Sequence, residues 1–184
     1  MHRVSIANRL PSTSKAAYGA GSERCTVRSV AYKVAVLLHN IRSAHNVGSI
    51  FRTADAAGVA KVYLSGYTPR PTDRFGRAQK EIAKTALGAE RFLEWEYMKL
   101  PSSIIKVLRK EKWEIVGVEQ DTRAVQYEKF KLKKPTLFIF GNEVHGISSA
   151  VRARCDYLVE ISMHGKKESL NVGVAAGIIL FSVR

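Results

Sequence analysis

The run Leu137-Phe-Ile-Phe140-Gly141-Asn142-Glu143-Val-His145-Gly146 changes character at one residue. Four consecutive bulky apolar side chains leave no polar face, so they predict a strand covered on both sides. Gly141 ends the run and polar groups follow at once. Strands buried on both faces belong to parallel sheets, and such sheets place ligands beyond their carboxyl ends. Asn142 and Glu143 therefore fall where chemistry is expected.

Outward from this run the same alternation recurs. Val34–Leu38, Val62–Leu64, Phe92–Trp95, Ile115–Val118 and Tyr157–Ile161 read as further strands. Between them lie helical patterns: Asn46 to Ala57, stopped by Gly58; Arg74 to Leu87; Pro101 to Lys112, with proline at a permitted first-turn position; Ser148 to Cys155; and a last helix from about Leu170. The expected fold is α/β, a mostly parallel sheet flanked by helices. Its strand ends deliver His39-Asn40, Glu119-Gln120, Gly141-Asn-Glu143 and Ile161-Ser-Met163. Residues 1–32 are rich in Ser, Ala, Gly and Arg, carry a single acid, Glu23, and lack periodicity, so they read as a flexible basic arm. Residues 33–184 read as a single domain.

The chain has 184 residues, with 30 Lys+Arg against 16 Asp+Glu and a net charge of +14. That balance favours a polyanionic partner, because phosphate neutralisation releases counterions. Aromatic residues make up 9% and are scattered, so no base-stacking platform is legible. The two cysteines, Cys25 and Cys155, exclude a disulfide framework and argue against a cysteine-built zinc site. The longest apolar run, Val172 to Val183, is too short for a membrane span, and no apolar block suits a secretory signal. A soluble, cytoplasmic protein is expected.

Three clusters could carry chemistry. In Asn40-Ile-Arg-Ser-Ala-His-Asn46-Val-Gly-Ser-Ile-Phe-Arg52, Asn46 fits a helix N-cap, and Arg52 lies nearly two turns on. A helix N-terminus with an arginine nearby suits a phosphate. In the second cluster, Gly141 and Gly146 bracket Glu143, and His145 is a candidate base. In the third, Ile161 to Gly173, Ser169 fits a cap for the last helix with Asn171 in its first turn. Gly173 and Gly177, four apart, permit close helix packing. Each cluster alone suits an ordinary capped helix or turn equally well. No grouping has metal-ligand spacing, and neither a phosphate-cradling GxxxxGK[ST] loop nor a GxSxG elbow occurs.

Together, in order and each at a strand end, the clusters resemble the three motifs of the SpoU/TrmH branch of the SPOUT methyltransferases, over roughly Val34 to the C-terminus. The resemblance implies transfer of a methyl group from S-adenosyl-L-methionine to a ribose 2′-hydroxyl in tRNA or rRNA. It also implies a C-terminal deep trefoil knot and a homodimer in which the final helix takes part. The implied catalytic set is Asn46, Arg52, Glu143, Ser169 and Asn171. The implied cofactor positions are Gly141, Ile161 and Leu170, joined by Glu119 and Met163 at neighbouring strand ends; no metal is implied. A guanidinium cation is a poor proton acceptor, so Arg52 is expected to grip a phosphate and stabilise developing alkoxide charge. Larger family members carry an N-terminal RNA-binding domain, and residues 1–32 are expected to serve as a shorter arm in its place. Two rival expectations are a base-methylating SPOUT enzyme and a catalytically silent RNA-binding protein on the same fold.

Overall fold

The computed structural model describes residues 32–184. Apart from Tyr32, the expected basic arm lies outside the described residues. Seven strands form one sheet: β1 (Val34–His39), β2 (Lys61–Ser65), β3 (Trp95–Met98), β4 (Glu114–Val118), β5 (Val125–Gln126), β6 (Thr136–Phe140) and β7 (Tyr157–Glu160). Their order is β3-β2-β1-β6-β4-β7-β5, and every pairing is parallel. The helices are α1 (Ala44–Ala56), α2 (Lys80–Ala86), α3 (Ala89–Phe92), α4 (Pro101–Lys110), α5 (Ser149–Arg152) and α6 (Val172–Ser182), with a single 3-10 turn at Tyr127–Lys129.

All residues of β1 and β6 are buried, as a fully covered strand requires. Their side chains alternate between two cores. Val34, Val36, Leu38, Phe138 and Phe140 join the core shared with α1, α2 and α6, whereas Ala35, Leu37, Leu137 and Ile139 join the core beneath α4 and α5. The expected parallel α/β fold is the observed one. From β1 the chain runs outward to β2 and β3, and β6 and β4 lie on the other side of β1. Such a reversal opens a crevice at the carboxyl ends of the central strands. Small residues let α1 be flanked closely: Gly48 lies against the Ile82 carbonyl and Thr85 of α2, while Gly173 and Gly177 of α6 face Ser49 and Thr53.

Local structure departs from the sequence reading in identifiable places. The helix expected from Arg74 begins only at Lys80, because the Asp73 carboxylate accepts from the backbone N–H groups of Phe75 and Arg77 and bends the chain into a turn. The strand expected at Phe92–Trp95 starts at Trp95; Leu87 and Gly88 take left-handed backbone, and one helical turn, α3, follows. The helix expected at Ser148–Cys155 shrinks to Ser149–Arg152. The two-residue β5 has no apolar signature that would predict it. Among the described residues no helix is long and apolar enough to cross a membrane.

Candidate active site

Ser43, not Asn46, caps α1: its side-chain oxygen accepts from the Asn46 backbone N–H at 3.2 Å. Both residue types cap well, and the choice is made by Glu143. Its carboxylate accepts from the Arg42 N–H at 2.9 Å and the Ser43 N–H at 3.1 Å, placing the chain bend before Ser43. A carboxylate at a helix N-terminus also complements the helix dipole. Asn46, displaced into the first turn, is left with its side chain available.

That side chain joins the three clusters. Asn46 Nδ2 donates to Glu143 Oε1 at 3.0 Å, and Asn171 Nδ2 donates to Asn46 Oδ1 at 3.0 Å. Asn171 Oδ1 accepts from the Gly173 N–H at 2.8 Å, so Asn171, not Ser169, caps α6. Ser169 is instead exposed in the loop before it. Burial pushes the Glu143 carboxyl upward, but the hydrogen bonds from Arg42, Ser43 and Asn46 outweigh it and hold it below its ordinary value.

Asn142, which the sequence places at a strand end without assigning it a role, builds the turn that presents Glu143. Its side-chain oxygen accepts from the Val144 and His145 N–H groups, both at 2.9 Å. Its amide donates to the Asn40 carbonyl and to the Tyr67 hydroxyl, both at 3.0 Å. The Asn142 and Gly146 main chains pair with each other, and Gly146 takes φ 62°. An asparagine two residues past a buried strand, in a turn closed by Gly146, is the signal that could have found this role, and Asn142 is buried there. His145 is exposed on this turn, and its backbone N–H, not its ring, holds the Asn142 side chain.

A cavity of about 160 Å³ opens beside the turn. Glu119 and Gln120 come from the end of β4, Ile161 and Met163 from beyond β7, and Ser169 and Leu170 from the loop before α6. Glu119 Oε2 accepts from the Ile147 N–H at 2.6 Å, and Gln120 Nε2 donates to the Glu168 carbonyl at 2.8 Å, tying three segments together: the end of β4, the turn after β6 and the loop between β7 and α6. The volume admits a group of nucleobase size and lies below the roughly 300–1,000 Å³ of whole-ligand pockets. Four of the five expected cofactor positions line it. The fifth, Gly141, does not; a Cβ added there would collide with the Gly146 carbonyl and the Ile147 nitrogen. Gly141→Val is therefore expected to displace the turn itself and to cost about 1–3 kcal/mol, the scale of overpacking. A urea midpoint equal to that of the parent chain would contradict this.

Arg52 lies on α1, about 1.7 turns beyond Asn46 at 3.6 residues per turn. It is exposed, and the ion pairs among the described residues do not engage it. Among the described residues no cluster of three His, Cys, Asp or Glu side chains could hold a metal ion.

The model of the SpoU rRNA Methylase family matches residues 33–181, which contain every residue of this site. The chain belongs to the SpoU methylase family. Among its SpoU relatives, the 23S rRNA (guanosine-2′-O-)-methyltransferase RlmB of Pseudomonas aeruginosa is 31% identical over 88% of this chain and 62% of its own length. The tRNA (guanosine(18)-2′-O)-methyltransferase of Aquifex aeolicus is 30% identical over 81% of this chain and 67% of its own. The chain thus spans about three fifths of the first of these relatives. The SpoU methyltransferase AviRb from Streptomyces viridochromogenes, solved in complex with AdoMet, superimposes with a TM-score of 0.72 at 28% identity, over 82% of this chain and 58% of that one.

Proposed function

We propose that this SpoU-family chain is an S-adenosylmethionine-dependent RNA methyltransferase acting on a ribose 2′-hydroxyl of tRNA or rRNA. The observation that carries the reading is the relay Glu143–Asn46–Asn171, which draws residues from all three clusters into one hydrogen-bonded line. The names of the relatives and the AdoMet-bound neighbour support the same reaction class.

Apolar Ile161, Met163 and Leu170 suit the flat face of an adenine, and the main chain of the three loops offers donors and acceptors for its edge. Bound S-adenosylmethionine supplies an electrophilic methyl carbon on a sulfonium. The protein's task is alignment, because displacement at that carbon requires the ribose oxygen directly behind it. The hydroxyl proton would pass to solvent water ahead of the new O–C bond, so that negative charge develops on the ribose oxygen, and the methyl–sulfur bond would break as that bond forms. The Arg52 guanidinium grips the adjacent phosphate and meets that charge. Asn46, fixed by Glu143 and Asn171, orients the ribose, and the Ser169 hydroxyl does so from the cavity side. Gly141 contributes by shaping the turn against which the cofactor rests.

The same reading includes a C-terminal trefoil knot, a cytoplasmic place of action and a homodimer. Val174 and Phe181 support the last: they stand exposed on a helix whose other face is packed on α1, an apolar strip suited to a second copy. Isothermal titration with S-adenosylmethionine tests the reading. Heat of binding is expected, and its absence would favour a catalytically silent RNA-binding protein. Ribose-methylation mapping of cellular RNA with and without the chain then names the nucleotide.

A further inference from the structure

Between β2 and α2 the chain projects a rigid finger. Thr72 and Ala78 pair as an antiparallel bridge, and the Asp73 and Gly76 N–H groups donate to the Arg77 and Asp73 carbonyls at 3.0 Å each. The Asp73 carboxylate binds the Phe75 and Arg77 N–H groups and the Arg77 guanidinium, locking the tip. On that tip Phe75 is 65% exposed, with the Arg74 and Arg77 guanidiniums 4.7 and 5.0 Å from its ring centre. At the base, Arg70 stacks 3.6 Å over Tyr97, whose hydroxyl donates to the Gly66 carbonyl.

A groove of about 970 Å³ runs along the finger. Arg70, Arg74, Arg77 and Lys80 line it against two acids, Asp73 and Glu81, and Asp73 is already engaged by Arg77. Tyr67 lines it as well and accepts a hydrogen bond from Asn142, the neighbour of Glu143. The groove therefore lies next to the turn that carries Glu143. Guanidiniums lie over aromatic rings both in this cationic channel, Arg70 on Tyr97, and at the tip beyond its lining, Arg74 and Arg77 on Phe75. Such stacked planes beside free cations hold unpaired nucleotides, the planes meeting bases and the cations phosphates. The tertiary fold gathers aromatics that look scattered in sequence.

Resting on the methyltransferase reading above, we propose that this groove holds the single-stranded RNA flanking the target nucleotide. Phe75 and the Arg70–Tyr97 stack receive bases, and Arg74 and Lys80 receive phosphates. The finger keeps Phe75 exposed in a fixed place, so little ordering entropy is lost when a base arrives.

The test uses the full chain, a fluorescein-labelled single-stranded RNA 12-mer of mixed sequence and a duplex of the same length. Anisotropy is read across a range of salt concentrations. Phe75→Ala should weaken single-strand binding about tenfold, the scale of removing one base stack, and leave the duplex nearly unaffected. Arg74→Ala with Lys80→Ala should flatten the log-affinity against log-salt slope by about 0.7 for each phosphate that is no longer neutralised. Both variants should bind S-adenosylmethionine with parental heat, which shows the cofactor cavity intact. Parental affinity and slope in both variants, or equal losses on duplex and single strand for Phe75→Ala, would overturn the proposal. A parent chain that binds the 12-mer through this groove without taking up S-adenosylmethionine would support the groove and overturn the methyltransferase reading instead.

Discussion

Arg52→Ala should lower the single-turnover rate of methyl transfer by about a hundredfold or more, the scale of removing one preorganised donor from developing charge. S-adenosylmethionine binding and fold should persist, because Arg52 is exposed, lies outside the cavity lining and is absent from the ion pairs among the described residues. Arg52→Lys should recover only a small part of the rate. Lysine restores the charge but not the planar fork that can hold a phosphate and an oxyanion together. Saturating RNA in single turnover separates chemistry from binding. Near-normal turnover in Arg52→Ala would remove the residue from the mechanism.

Glu143 should prove almost as demanding, for a different reason. One oxygen accepts from Arg42 and the other from both Ser43 and Asn46. Glu143→Gln turns one acceptor into a donor facing an N–H group, so the isosteric change cannot preserve the arrangement. Both Glu143→Ala and Glu143→Gln should lose about a hundredfold in rate, the cost of misplacing a positioned group by about an ångström. A glutamine variant with the parental rate would contradict this.

The same residue gives a pH signature. Its carboxyl lies below its ordinary value in the folded chain, so its stabilisation is fully present above the unfolded value of 4.5 and is lost as pH falls through the folded one. Parent and Glu143→Ala should thus differ in denaturant midpoint at about pH 7, and the difference should shrink as pH falls below the unfolded value. A difference that stays constant over that range would mean the carboxylate stabilises nothing.

The strands are the most legible part of the fold, since a run such as Leu137–Phe140 leaves few alternatives once both its faces must be covered. Boundaries are harder wherever a side chain competes with the backbone. Asp73 replaces the first turn of an expected helix, and Glu143 shifts the cap of α1 from Asn46 to Ser43. That second shift has no local signal, because the deciding carboxylate lies a hundred residues from Ser43. The clusters themselves are visible as motifs, and their meeting is not: Asn46 and Asn171 touch across 125 positions. Asn142 stands out by its place at a strand end, but its role does not, because an asparagine beside a glycine looks like any turn, and only the folded chain shows its burial and four hydrogen bonds.

The relay also orders events during synthesis. Asn46 leaves the ribosome first, Glu143 follows 97 residues later, and Asn171 is last of the three. The line of side chains closes only when α6 docks on α1, so a nascent or truncated chain holds Asn46 without one of the two partners that fix it. Contacts so distant in sequence form late and slowly. On the proposed reading competence is thereby tied to completeness: an unfinished copy lacks the assembled line on which methyl transfer would depend.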